Sequence, residues 1–164
     1  MRYLLSLFAL SLLFTIDAPA DEFGTRIPMT AGSATTFYVK AAAGSLEEMD
    51  FMVDTGSGYT TINEQTLAEL MNIDQAEYLF DLTGVLANGD EMVVPVYRLS
   101  HFNIGGGCQL QNVEAAVFPG KTRQILGLSA LRQAGPFIFS FDPPNLALSN
   151  CAGAELLAEA SAAQ

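Results

Sequence analysis

Apolar residues in this chain fall into short runs separated by glycine, proline and asparagine, the rhythm of strands and turns. Phe37, Tyr38 and Val39 suit a strand, Gly44-Ser45 suits a turn, and Met49 to Val53 suits a second strand that closes a hairpin. Asn63 can accept a backbone N–H bond from the turn that follows it. With Leu67, Leu70 and Met71 at helical spacing, it predicts a short helix from about Glu64 to Met71. Tyr78 to Leu86 and Glu91 to Leu99 flank Asn88-Gly89, a dipeptide whose members both tolerate positive φ, so a tight hairpin is expected there. Gly105-Gly106-Gly107 marks a turn between Phe102-Asn103-Ile104 and the strand-like Gln109 to Phe118. The last third runs through Gln124 to Leu131, Pro136 to Phe141, a Pro143-Pro144-Asn145 turn, and Leu146 to Leu148. Close-set turns and little helix predict an all-β domain, a small barrel or sandwich, with no internal repeat.

The two ends depart from that rhythm. Arg2 precedes an uncharged run from Tyr3 to Ile16, too short to cross a bilayer, and Ala18-Pro19-Ala20 follows as a small-residue cleavage signature. Residues 1–20 therefore read as a secretory signal peptide. A retained N-terminal membrane anchor, the alternative, needs about 20 apolar residues, and Asp17, Asp21 and Glu22 interrupt the run. Residues 21–35 have no clear period and read as a flexible arm. Residues 36–151 form the expected domain, and 152–164 an Ala- and Glu-rich tail.

Charge and cysteines narrow the function. The 164 residues carry a net charge of −11, and loss of residues 1–20 removes Arg2 and Asp17 together, leaving that charge unchanged. Lys121 and Arg123 are the nearest thing to a basic pair, so nucleic acid and anionic lipid would be repelled. Cys108 and Cys151 follow a secretory leader as an even pair, which favours a disulfide over two buried thiols. No metal site is expected, because His101 is the sole histidine and no second cysteine lies near Cys108.

The stretch Phe51-Met52-Val53-Asp54-Thr55-Gly56-Ser57-Gly58 drives an apolar strand into a carboxylate. Burying that group unpaired would cost several kcal/mol, so a partner or a solvated cleft must receive it. Small residues after Asp54 let the backbone fold tightly, and an apolar pair followed by glycine, Ile125-Leu126-Gly127, lies downstream. Asp-Thr-Gly alone also occurs in ordinary turns, where the acid bonds its own backbone.

With both elements and the Asn-Gly hairpin in this order, the chain from about Phe37 to Leu148 resembles a retropepsin-like aspartic protease of the single-domain, bacterial kind. The resemblance implies a small closed barrel with one or two short helices, forming half of a two-fold dimer. Asp54 falls on the catalytic position, Ala87-Asn88-Gly89 on the tip of the substrate flap, and Ile125-Leu126-Gly127 on the second hydrophobic-glycine element. Thr55 would bond across the dimer axis, and Gly56 would bring its N–H to the carboxylate. Ser57, where many retroviral relatives have alanine, would donate to the carboxylate and lower its pKa. The implied activity is endoproteolysis of extended polypeptides by two aspartates and a water, without a cofactor, in a secreted and periplasmic protein that has no stable membrane insertion.

Two alternatives from other classes stay open: a non-catalytic peptide-binding or dimerisation module of the same fold, and a monomer in which Asp54 is a plain turn residue. A Ser57–His101 nucleophile is disfavoured, because no glycine lies two residues before Ser57. The triple glycine precedes neither a helix nor a lysine, so no phosphate loop is expected. Asp81, Asp90, Glu114 and Asp142 read as solvated charges, and Tyr78, Phe80 and Tyr97 as core or flap-base packing. The charge generates a prediction. Two such acidic chains repel at neutral pH, so the dimer should tighten in analytical sedimentation as pH falls toward about 5; a weakening over that interval would contradict the charge argument.

Overall fold

The computed structural model describes residues 23–85 and 89–151. The leader, the tail 152–164, and Ala87 and Asn88 of the flap tip lie outside the described residues. Strands dominate, in the order β1 (Thr25–Pro28), β2 (Thr30–Ala31), β3 (Phe37–Ala43), β4 (Met49–Val53) and β5 (Thr60–Asn63). Helix α1 (Glu64–Asn72) precedes β6 (Ala76–Val85), β7 (Glu91–Ile104), β8 (Cys108–Phe118) and β9 (Gln124–Leu126). Helix α2 (Leu128–Leu131), β10 (Phe137–Phe141) and β11 (Pro144–Leu148) complete the chain. Asn63 caps α1 as expected, its side-chain oxygen accepting from the Thr66 N–H at 3.0 Å. The two expected strands Glu91 to Leu99 and Phe102 to Ile104 are one strand, because His101 continues the ladder opposite Gln111.

Eight strands form one sheet in the order β2-β3-β4-β9-β5-β8-β7-β6. A further antiparallel pairing of β3 with β7, from Ala41↔Ile104 to Ala43↔Phe102, closes six of them into a ring. Inside lies the main core, where Phe51 and Phe102 meet edge to face at 5.1 Å and Ile62, Leu99, Val113 and Leu126 are buried. Two pairings in the ring are parallel, β4 with β9 and β5 with β8. These non-local contacts set the end of β4 beside the end of β9.

The arm at 21–35 requires correction. Residues 25–28 form β1, paired antiparallel with β11 from Thr25↔Leu148 to Pro28↔Asn145, in a three-stranded sheet ordered β1-β11-β10. Ile27, 2% exposed, and Met29 belong to the main core. Two alternating apolar residues suffice to anchor a short strand but are too few to stand out as a period. Room for Ile27 comes from Gly105, which has φ +61° in the β7–β8 turn. A Cβ there would lie 2.5 Å from the Ile27 Cγ2 atom.

A disulfide joins Cys108 at the start of β8 to Cys151 just after β11, over 43 residues of sequence. Such a bond persists in oxidising compartments. Among the described residues, no helix is long and apolar enough to cross a membrane. Replacing both cysteines by serine should lower the unfolding free energy by about 4 kcal/mol, the loop-closure value for this separation. Urea denaturation would show it, and an unchanged midpoint would mean that the denatured chain is not constrained by the bridge.

Candidate active site

Strand β4 delivers Asp54 to a fixed place. Val53 pairs with Leu126, and the ladder runs one step further, with the Asp54 N–H donating to the Leu126 carbonyl at 3.1 Å. The chain then turns, closed by the Ser57 N–H on the Asp54 carbonyl at 3.3 Å. Within that turn the Gly56 N–H donates to Asp54 Oδ1 at 2.8 Å. A Cβ on residue 56 would stand 3.1 Å from the same oxygen, so glycine leaves the carboxylate its position. Asp54 is half-buried, and Thr55 and Gly56 are exposed on the outer side of the turn.

The expectation that Ser57 donates to the carboxylate is corrected. Its hydroxyl donates instead to the Tyr59 carbonyl at 2.7 Å, so it braces the loop rather than the acid. Further along, the Leu128 N–H donates to the Ser57 carbonyl at 2.9 Å, and the Thr60 N–H donates to Ser129 Oγ at 2.8 Å. Ser129 in turn donates to the Glu114 carbonyl at 2.6 Å, tying the loop to β8. Gly127 sits where these segments cross. A Cβ there would run into the Tyr59 carbonyl oxygen and lie 2.9 Å from the Thr60 nitrogen. The Ile125-Leu126-Gly127 element thus has a physical role: Leu126 holds Asp54 and Gly127 admits the loop. Nothing in local sequence marks Ser129 or Tyr59 for theirs.

Asp54 opens onto a cleft of about 540 Å³. Gly56, Ser57, Gly58 and Tyr59 form one wall. Thr61, Ala116, Phe118 and Ile125 line it from the sheet, and Leu82, Gly84, Val85 and Val94 from the β6–β7 hairpin. A bulge puts the hairpin residues on that side. Tyr78 pairs with Tyr97 but Phe80 pairs with Val96, so Leu79 is an extra residue; beyond it Leu82 pairs with Val94 and Gly84 with Met92, and Leu79 and Leu82 pack against Val94 and Val96. Only one carboxylate, that of Asp54, lines the cleft among the described residues. Thr61 is 4% exposed, and its hydroxyl has no hydrogen-bond partner among the described residues.

Of the flap-tip residues, only Gly89 is described, with φ +90° and open space where a side chain would stand. The expectation of packing for Tyr78 and Phe80 is corrected, because both lie exposed on the outermost strand. Tyr78, 52% exposed, meets Tyr97 edge to face at 5.7 Å, and Tyr97 alone of the three packs against the core. Partial desolvation, then the Asp81 carboxylate beside it, raise the Tyr78 pKa above the ordinary tyrosine value, so it stays protonated wherever carboxylates titrate. Ser57 and His101 are not brought together, since His101 lies against the Ser45 and Ser100 hydroxyls at 3.3 and 3.0 Å. Among the described residues no three of His, Cys, Asp and Glu are grouped to hold a metal ion.

Comparison with known proteins follows the same lines. A family model described as Aspartyl protease matches residues 39–130. No curated protein matches the chain. Among solved structures, a retropepsin-like aspartic protease from Rickettsia conorii superposes with a TM-score of 0.52 at 22% identity, covering 74% of this chain and 89% of that one. The retroviral protease-like domain of Ddi1 from Leishmania major gives a TM-score of 0.52 at 17% identity, covering 70% of this chain and 89% of that one. Identities so low speak for the fold alone.

The crossing at Gly127 can be tested against an adjacent control. Gly127→Ala should destabilise the protein by about 3 kcal/mol or more, since the obstacle is backbone and cannot rotate away. Gly58→Ala, with nothing within 4 Å of the new atom, should stay within about 0.5 kcal/mol of wild type in the same denaturation assay.

Proposed function

The chain belongs to the aspartyl protease family, and from that premise we propose that it is an endopeptidase assembled as a homodimer with one Asp54 from each chain. The observation that carries the reading is the lone Asp54 carboxylate, held by the Gly56 N–H at the edge of a cleft that contains no second acid among the described residues. Aspartic protease chemistry needs two carboxylates sharing a single proton, because both cannot ionise side by side. A two-fold axis at Asp54 supplies the second from an identical chain, since an isologous interface brings equal residues together. The exposed Thr55 side of the turn supports this. So does an aromatic group on the same end of β4, where Phe37 meets Phe139 at 5.4 Å and Phe141 at 5.7 Å, with Phe141 70% exposed.

In the proposed reaction the ionised aspartate takes a proton from a bound water as its oxygen attacks the scissile carbonyl carbon. The protonated aspartate gives its proton to the carbonyl oxygen, so no covalent enzyme intermediate forms. Gly56 keeps one oxygen of each acid fixed, and Ser57 braces the loop through Tyr59. Thr55 would bond across the axis. The flap residues Ala87, Asn88 and Gly89 would close over an extended peptide through backbone groups, in the manner of strand addition. The catalytic unit would be residues 36–151 with β1 added. Residues 1–20 would be removed on export to the periplasm, a location that the disulfide supports.

Digestion of a mixed peptide library by wild type and Asp54→Asn tests the reading, with sedimentation confirming that both variants fold and dimerise. The substitution should lower kcat/KM by about 10²–10⁴-fold. Equal cleavage by both would remove Asp54 from catalysis. Binding without cleavage by either would favour the non-catalytic module.

A further inference from the structure

Lys121 and Arg123 are the closest pair in sequence among the seven lysines and arginines of the chain. They stand in the segment that joins β8 to β9, and the residues leading into and out of it, Phe118 and Ile125, both line the Asp54 cleft. The segment is therefore part of the edge of that cleft. Its backbone is pinned at two points. The Gly120 N–H donates to Glu64 Oε2 at 2.7 Å, and Asn63 Nδ2 donates to the Thr122 carbonyl at 3.1 Å. Lys121 and Arg123 remain exposed beside these anchors.

The direction of Arg123 is fixed by one contact, its Nη1 donating to Met52 Sδ at 3.3 Å. Met52 is the register partner of Ile125 in the parallel β4–β9 ladder, so the guanidinium rests beside a residue that lines the cleft. Met52 also precedes Asp54 by two residues, about 6.6 Å of strand. The contact engages one of five guanidinium donors, and on a weak acceptor. Among the described residues no carboxylate forms an ion pair with Lys121 or Arg123: Asp50 is paired with Lys40 at 2.9 Å, and Glu64 accepts from the Gly120 N–H. In a chain of 18 acids and 7 bases, two cations without anionic partners at the edge of the cleft are the complement of an acidic group brought by a ligand.

We propose that Lys121 and Arg123 are specificity-determining residues of the Asp54 cleft, selecting polypeptides with an aspartate or glutamate within two residues of the scissile bond. The inference rests on the endopeptidase reading of Asp54. Alternate residues of an extended peptide stand about 6.6 Å apart, so a side chain within two residues of a bond held at Asp54 reaches the level of Met52, where the guanidinium rests. Arg123 can receive a carboxylate through two parallel N–H groups, and Lys121 adds a point charge. The net charge of −11 repels acidic peptides as a whole, but at physiological ionic strength that field decays over about 8 Å and a contact pair is far less screened. The preference is therefore for an isolated acidic residue and not for an acidic run.

Cuts made by the wild-type chain in a mixed peptide library, mapped by mass spectrometry, should show Asp or Glu enriched within two residues of the broken bond. For a peptide built on such a site, kcat/KM should exceed that of its Asn or Gln counterpart by about tenfold, the worth of one charge-assisted contact. In Lys121→Gln/Arg123→Gln the ratio should fall to about one. In Lys121→Glu/Arg123→Glu a peptide with Lys or Arg at that place should become the better substrate. A second readout needs no cleavage: library peptides retained on immobilised Asp54→Asn protein should show the same enrichment, lost when Lys121→Gln and Arg123→Gln are added. Melting curves check that each variant folds, and should the double variant fail to fold, the two single variants carry the test. Absence of cleavage by wild type would remove the endopeptidase reading, and the retention arm would then decide the role of the cation pair. A preference in either readout that the folded variants lose supports the proposal. Equal selection of acid and amide in every readout that gives signal, or an enrichment that persists in the folded variants, would overturn it.

Discussion

At position 127 two segments of chain cross at a distance that no side chain tolerates, and the placement of Asp54 depends on that crossing. Four consecutive residues each fix one point of the loop that follows β4. Leu126 accepts from the Asp54 N–H, Gly127 lies against the Tyr59–Thr60 peptide, Leu128 donates to the Ser57 carbonyl, and Ser129 accepts from the Thr60 N–H. The loop is thus held by backbone and by one half-buried hydroxyl, independently of what its own side chains face. A carboxylate can then stand half-exposed at the edge of a cleft without its position being decided by solvent.

Much of this was legible in the sequence where the controlling interaction is local. Asn63 caps α1 because the cap and the donor are three residues apart, and the β3–β4 hairpin follows from adjacent runs. The run into Asp54 and the Ile125-Leu126-Gly127 element were visible as separate features, and family resemblance joined them. Their physical connection is a parallel pairing of strands some seventy residues apart, which no periodicity reports. The same holds for β1, whose partner is the last strand, and for the bulge at Leu79, which changes the facing of half a strand by one inserted residue.

Ser57 shows why residue type alone misleads about a site. A hydroxyl three residues after a carboxylate could serve either the acid or the backbone. The tight turn at Gly56 satisfies the acid from the main chain and leaves Ser57 closest to the Tyr59 carbonyl. Ser129 is the converse. Between Leu128 and Ala130 it looks like an ordinary helix residue, yet its oxygen links β5 to β8 by donating to one and accepting from the other. Two serines therefore share the support of the loop, and neither acts on the carboxylate directly.

Among the described residues strand β6 is one border of the eight-stranded sheet, ten residues long and carrying exposed Tyr78 and Phe80. A border of that length is a template for stacking one molecule on the next, the geometry from which fibres grow. The kink at Leu79 interrupts its flatness, and charged groups flank it, the Glu77–Arg98 ion pair at 2.8 Å on one side and the exposed Asp81 on the other. The irregularity that re-aims Leu82 toward the cleft therefore also makes the border a poor template for self-stacking, so colloidal stability and the shape of the cleft share one inserted residue.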